Sequence, residues 1–326
     1  MRLQPLVFLA FAVFFGSIAL SLFGRDSQNA PEKATGVQLG ANASLGGKRA
    51  FPDDNDWNAD ISQVPVDPNS DTYIASIGAD AKLHPDFGTE YQGAPLGIPY
   101  VVVPGDQPRV PVTFEYADES DQGLYPIPPD APIEGGPNAT DGDRHIIIID
   151  RDNWKLYELF MARREDGHWL AGAGAIFNLR SNDLRPAGWT SADAAGLPIF
   201  PALVRYDEVI QQKEIRHALR FTAKRTRKAY IHPARHFASK FTEEQLPPMG
   251  LRVRLKDSYD ISQFPPTAQV ILKALKKYGM ILADNGGNWF LSGAPDPRWS
   301  DKDIATLKRV TGKDFEVIRI GNIVAP

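Results

Sequence analysis

Arg144-His145-Ile146-Ile147-Ile148-Ile149-Asp150, followed by Arg151-Asp152-Asn153 and then Trp154-Lys155-Leu156-Tyr157-Glu158-Leu159-Phe160-Met161, decides how the chain folds. Four successive isoleucines suit the pleated, crowded surface of a sheet, and the second run reads as another apolar strand. The Arg-Asp-Asn tripeptide between them reads as a tight turn, so the pair is a predicted β-hairpin. With a three-residue turn, Glu158 would lie opposite Ile146, the only acid on a face otherwise made of Trp154, Leu156 and Phe160.

Outward from this hairpin the pattern continues as short strands among turns. Gly97–Val103, Arg109–Tyr116, Ala171–Asn178, Ile215–Thr222 and Leu251–Leu255 read as strands, and residues 118–142, dense in proline and glycine, read as loop. Met280–Ala283 and Trp289–Ser292 flank Asn285-Gly286-Gly287-Asn288, which predicts a further hairpin. Two helices are expected, over 266–278, stopped by Gly279, and over 301–311, capped by Ser300 and ended at Gly312. The chain has 27 glycines and 27 prolines in 326 residues, which favours short elements over long helices. The resulting expectation is a mainly β fold, a β-sandwich of jelly-roll type with two short helices in its C-terminal part.

Arg2 precedes an uncharged apolar stretch, Leu6–Phe23, and Arg25 and Asp26 follow it. This reads as a signal peptide, or as an anchor retained in the inner membrane, over residues 1–24. Either reading places the rest outside the cytoplasm, periplasmic or secreted. Residues 25–50, rich in Gly, Ala, Ser and Asn, read as a flexible linker, and residues 51–326 as a single globular domain. The absence of cysteine excludes thiol catalysis, disulfides and thiolate metal sites. A net charge of −4 gives no reason to expect a nucleic-acid partner. Neither a G-x-S-x-G elbow, a penicillin-binding S-x-x-K set, a Walker loop nor a dinucleotide fingerprint occurs.

Polar residues on apolar faces are the leads to chemistry, because a buried charge is costly without a partner or a purpose. Glu158 is one. His217 is another, since the alternation Ile215, His217, Leu219, Phe221 places it on the inward face and leaves Arg216, Ala218 and Arg220 opposite. Glu158 and His217 would form an acid/base pair if these faces meet, or a buried hydrogen bond without catalysis. Asp150, Asp193 and Asp284 are candidates for a second carboxylate. The irregular stretch 182–208 gathers Arg185, Trp189, Ser191 and Asp193, an aromatic ring beside hydrogen-bonding groups, which suits a sugar. His145, Arg185, Trp189, Arg235 and His236 are the expected substrate-binding residues. No zinc helix is expected at His232 and His236, because Pro233 follows the first directly. Asp141-Gly142-Asp143 reads as a turn or as a calcium site.

Asp143-Arg-His-Ile-Ile-Ile-Ile-Asp150, Leu156-Tyr-Glu158-Leu, Gly188-Trp-Thr-Ser-Ala-Asp193, Gly196-Leu-Pro-Ile, His217-Ala-Leu and Tyr278-Gly-Met-Ile-Leu-Ala-Asp284 together resemble an uncharacterised family of secreted bacterial proteins, over about Phe51–Ser292. The resemblance implies export, and the general look is similar to lectin- or glucanase-like jelly-roll sandwiches. The expected function is a carbohydrate-active enzyme, hydrolase or lyase, on an extracellular or envelope polysaccharide. The alternative is a non-catalytic glycan-binding or envelope-structural protein.

Overall fold

A computed structural model describes residues 36–325, so the leader expected over 1–24 lies outside the described residues. The fold is mainly β, with several sheets and few helices. Ile146–Asp150 is central in a five-stranded sheet of order Gly40–Ala41, Tyr100–Val103, Ile146–Asp150, Lys155–Phe160, Ala173–Asn178. All five of its residues are buried, as a run apolar on both faces requires. Ile147 and Ile149 face the main core, whereas Ile146 and Ile148 face a smaller one with Phe114, Tyr125, Tyr157 and Leu159. A four-stranded sheet, Arg163–Glu165, His168–Ala171, Val110–Phe114 and Leu124–Tyr125, contributes to that smaller core. Gly174 is required there, because a Cβ would lie 2.4 Å from the Phe114 ring.

A six-stranded sheet contributes to the main core, in the order Phe315–Val317, Arg252–Leu255, Met280–Asn285, Leu219–Ala223, Phe290–Ser292, His84–Asp86. Pairings within all three sheets mix parallel and antiparallel, including Tyr100–Val103 with Ile146–Asp150 and Leu219–Ala223 with Met280–Asn285, both parallel. This differs from the antiparallel pairing of a jelly roll. The helix Pro266–Lys277 buries Ala268, Ile271, Leu272 and Leu275, the i, i+3, i+4, i+7 stripe of a packed helix. Gly279 ends it at φ +68°, where a Cβ would meet the Val253 carbonyl. The second expected helix is shorter and changes pitch, α over Asp301–Ala305 and 3-10 over Thr306–Arg309. A helix over Ser70–Ile77 was not foreseen.

Three sequence expectations are corrected. Trp154 belongs to the turn, at φ +51°, so Asp150 pairs with Lys155 and Glu158 lies opposite Ile147 rather than Ile146. Met280–Asn285 and Phe290–Ser292 do not form a hairpin, because Leu219–Ala223 inserts between them and pairs with both. Residues 36–50 are part of the fold rather than a tether. Gly40–Ala41 pairs with Val101 and Val102, the Ser44 hydroxyl and the Leu45 amide donate to Asp207 Oδ2 at 2.9 and 3.2 Å, and Leu45 is buried in the main core. Among the described residues, no helix is long and apolar enough to cross a membrane.

If 36–50 is an integral strap, Leu45→Ala should cost about 3 kcal/mol of unfolding free energy, as for other buried leucines. Urea unfolding reads this, and a loss under about 1 kcal/mol would return the segment to a tether.

Candidate functional site

The site is organised around Arg220, which the sequence placed on the outer face of its strand. Leu219, Phe221 and Ala223 enter the main core, and Arg220 projects to the other side, where it is also buried. Its Nε and Nη2 donate to the two carboxylate oxygens of Asp193 at 2.8 and 2.9 Å, a fork-to-fork pair. Nη2 also donates to Asp284 Oδ2 at 3.2 Å, and Nη1 to the Ser292 hydroxyl at 2.6 Å.

Each partner arrives for a local reason. A β-bulge between Phe221 and Thr222 shifts the register, so that Thr222 pairs with Asp284 and this acid comes to the Arg220 face. Asp193 sits in a turn shaped by Ser191, whose hydroxyl accepts from the Asp193 amide at 2.9 Å and donates to the Leu197 carbonyl at 2.6 Å. Arg185 holds this loop from below. It donates to the Thr190 carbonyl at 2.7 Å, to the Glu119 carbonyl at 2.7 Å, and to Asp121. The Thr190 amide donates to Glu119 Oε2 at 3.0 Å.

A cavity of about 400 Å³ opens over this loop, and Glu119, Asp143, Asp193, Asp284 and His236 line it. The rings of Phe160 and Tyr116 add apolar wall, and no lysine or arginine side chain lines it among the described residues. The Asp284 carboxyl is pushed up to about 7, by burial first and then by the negative charge of Asp193, with Arg220 pulling the other way. Physically, one guanidinium faces two acids, and its two-pronged engagement of Asp193 leaves Asp284 the weaker contact. His236 Nδ1 is 2.8 Å from the Ala194 carbonyl, which can only accept, so Nδ1 carries a proton and Nε2 is the nitrogen left for a ligand.

The sequence candidates therefore divide. Asp193, Asp284 and His236 meet at the cavity. Glu158 lies beneath it, fully buried, and does not line it. Its oxygens accept from the Ile199 amide at 3.0 Å and the Phe200 amide at 2.9 Å, fastening the segment around Ile199 to the sheet. Burial raises its carboxyl to about 7, against those two amides, with Asp193 adding to the rise. His217 is not its partner. The ring lies before the strand rather than in it, with Nε2 3.0 Å from Glu208, which in turn pairs with Arg205 at 2.6 Å. Asp150 is also elsewhere, accepting from Arg109 at 3.0 Å and from the Asn153 amide at 2.9 Å, where it closes the hairpin turn. His145 is buried behind Ala192 and Phe160, without access to the cavity. Arg185 and Arg235 brace the loop, the latter donating to the Arg185 carbonyl at 2.9 Å, and Trp189 stacks near the Arg185 guanidinium. Among the described residues no group of three or more His, Asp or Glu is placed to hold a metal ion, Asp141–Asp143 included. The sequence reading missed Arg220, Glu119 and Glu134. Only the rule that a buried run of acids needs a cation could have pointed to Arg220.

Arg220→Gln should destabilise the protein by about 3–5 kcal/mol, since it strips the cation from two buried acids. The pH dependence follows from Asp284 and Glu158. Both folded-state values lie above the ordinary carboxylate range, so the folded protein holds protons that the unfolded chain has released. Their contribution to stability is complete below about pH 4 and is lost as the pH rises to about 7. Urea midpoints across that window should fall less for Asp284→Asn than for the wild type. An equal fall in both would contradict the raised value.

Compared with protein-family models, with curated proteins and with solved structures, the chain matches none.

Proposed function

We propose that the chain is a glycan-active enzyme that works by general acid catalysis in the cavity over the Asp193 loop, with Asp284 as the proton donor. One observation carries this reading: a carboxyl raised to about 7 stands on the wall of a cavity that other carboxyls share. A group that still holds its proton near neutrality is suited to protonate a glycosidic oxygen as the bond breaks. Asp143 or Glu119, which also line the cavity, would serve as the second carboxylate, steering water to the anomeric carbon or stabilising its developing positive charge. His236 Nε2 would accept a sugar hydroxyl, and the Phe160 and Tyr116 rings would pack against C–H faces. The volume falls in the range of small-molecule sites, about 300–1,000 Å³. Glu158, the acid favoured by the sequence pattern, has a bracing role in this reading, and Arg220 tunes Asp284 without touching the substrate.

The apolar stretch Leu6–Phe23 supports delivery outside the cytoplasm, so an extracellular or envelope polysaccharide is the proposed substrate class. A glycan-binding protein without turnover is the second reading, favoured by the hold that Arg220 and the Asn285 amide have on the Asp284 carboxylate.

The full chain should release reducing ends from at least one member of a polysaccharide panel. Asp284→Asn should lower that rate by about 100-fold or more while leaving the unfolding midpoint near the wild-type value. Absorbance of unsaturated products would make the enzyme a lyase. A glycan that raises the melting temperature without any product would establish the binding reading and dismiss catalysis.

A further inference from the structure

We propose that His145 is a positioning residue held as an imidazolium: clamped between the Glu134 carboxylate and the Ala192 carbonyl, it fixes the peptide that leads into Asp193. Its bearing on catalysis rests on the reading above, but its charge and its grip do not.

The argument is one of proton counting. His145 Nδ1 lies 2.6 Å from Glu134 Oε2, and Nε2 lies 3.0 Å from the Ala192 carbonyl oxygen. The carbonyl can only accept, so Nε2 must carry a proton. Glu134 Oε2 already accepts the His145 backbone amide at 3.3 Å, and its 2.6 Å separation from Nδ1 is as short as a charge-assisted bond between a carboxylate and a protonated ring nitrogen. Both ring nitrogens then donate, and a ring with two N–H groups is cationic. The Glu134 amide returns a bond to the His145 carbonyl at 3.0 Å, so the two residues are doubly tied.

The groups facing His145 agree with this count. Glu134 and Asp143 favour the charged ring, while burial and Arg220 oppose it, and the balance lifts His145 to about 9. Glu134 is moved the opposite way, below the ordinary range against its own burial, and His145 is the leading cause of that lowering. Glu158 also feels His145 as a favourable charge, and Asp193 follows directly on the Ala192 carbonyl that the ring holds.

The consequence lies in which peptide is gripped. The Ala192 carbonyl and the Asp193 amide belong to one peptide unit, and the Asp193 side chain holds Arg220 by two bonds. A buried charge just before the central strand of the first sheet thereby sets the position of the acid beside Asp284. The Phe160 ring, 5.9 Å from the imidazole, stands on the cavity wall.

The test uses the full chain, labelled with nitrogen-15 in histidine and aspartate, followed by NMR. The chain has six histidines, so their ring signals are few enough to assign. Both His145 ring nitrogens should resonate as protonated nitrogens at about pH 7, and the ring should titrate near 9, well above an ordinary histidine. The Asp193 amide signal should move with the same midpoint. Glu134→Gln should lower both midpoints together by about one unit or more. A single protonated ring nitrogen at about pH 7 would overturn the charge, and an Asp193 amide indifferent to the His145 titration would overturn the positioning role. Neither readout requires a glycan, so a failure here is distinct from a failure of the proposed activity.

Discussion

The guanidinium of Arg220 ties together three segments that lie far apart in the chain. Through Asp193 it holds the loop between the first sheet and the third, through Asp284 and Ser292 it joins the strands on either side of its own. An ion pair sealed from water adds little net stability over a well-packed apolar equivalent, but once built it cannot lose one partner cheaply. The strand order makes the contact possible. Because Leu219–Ala223 separates Met280–Asn285 from Phe290–Ser292, one side chain on the middle strand reaches the ends of both neighbours.

Around this contact the buried charges form a connected set beneath the cavity. Glu158 fastens the segment at Ile199, His145, itself held by Glu134, grips the Ala192 carbonyl, and Arg185 clamps the other end of the same loop to Glu119 and Asp121. Each of these groups is partnered, so their work is to fix a loop that has no regular secondary structure of its own. The irregular stretch over 182–198 thus becomes a rigid wall by polar bonds to the scaffold rather than by packing alone. The acid presented to the cavity, Asp284, is the one whose partner is shared. Burial, together with the charge of Asp193 beside it, turns this weaker member of a structural ion pair into a proposed proton donor.

The sequence made much of this fold legible and concealed a definite part. The isoleucine run, the hairpin after it, the helix begun at Pro266 and the acids Asp193 and Asp284 were all readable. The register of Glu158 was not, because Trp154 takes a left-handed conformation that its residue type does not advertise. Arg220 was misread because alternation identifies a solvent face only when one side of a strand is wet, and this strand is buried on both. The bulge that brings Asp284 to Arg220 leaves no mark in composition, and the split hairpin at Asn285–Asn288 looks like a simple one until a strand from far away in the chain inserts. Glu134 lay hidden in a loop dense in proline and glycine, where no periodicity exists to single out a residue. Long-range pairing decided each of these.

Burial first, and then the neighbouring charge of Asp193, keep the proton on Asp284 near neutrality against the pull of Arg220. The most direct measurement is a carbon-13 NMR titration of the aspartate side-chain carboxyls in the full chain, with Asp284 assigned by its loss in Asp284→Asn. The account predicts a midpoint for Asp284 of about 7. A midpoint in the ordinary aspartate range, about 4, would show Asp284 as a plain ion-pair partner and contradict it.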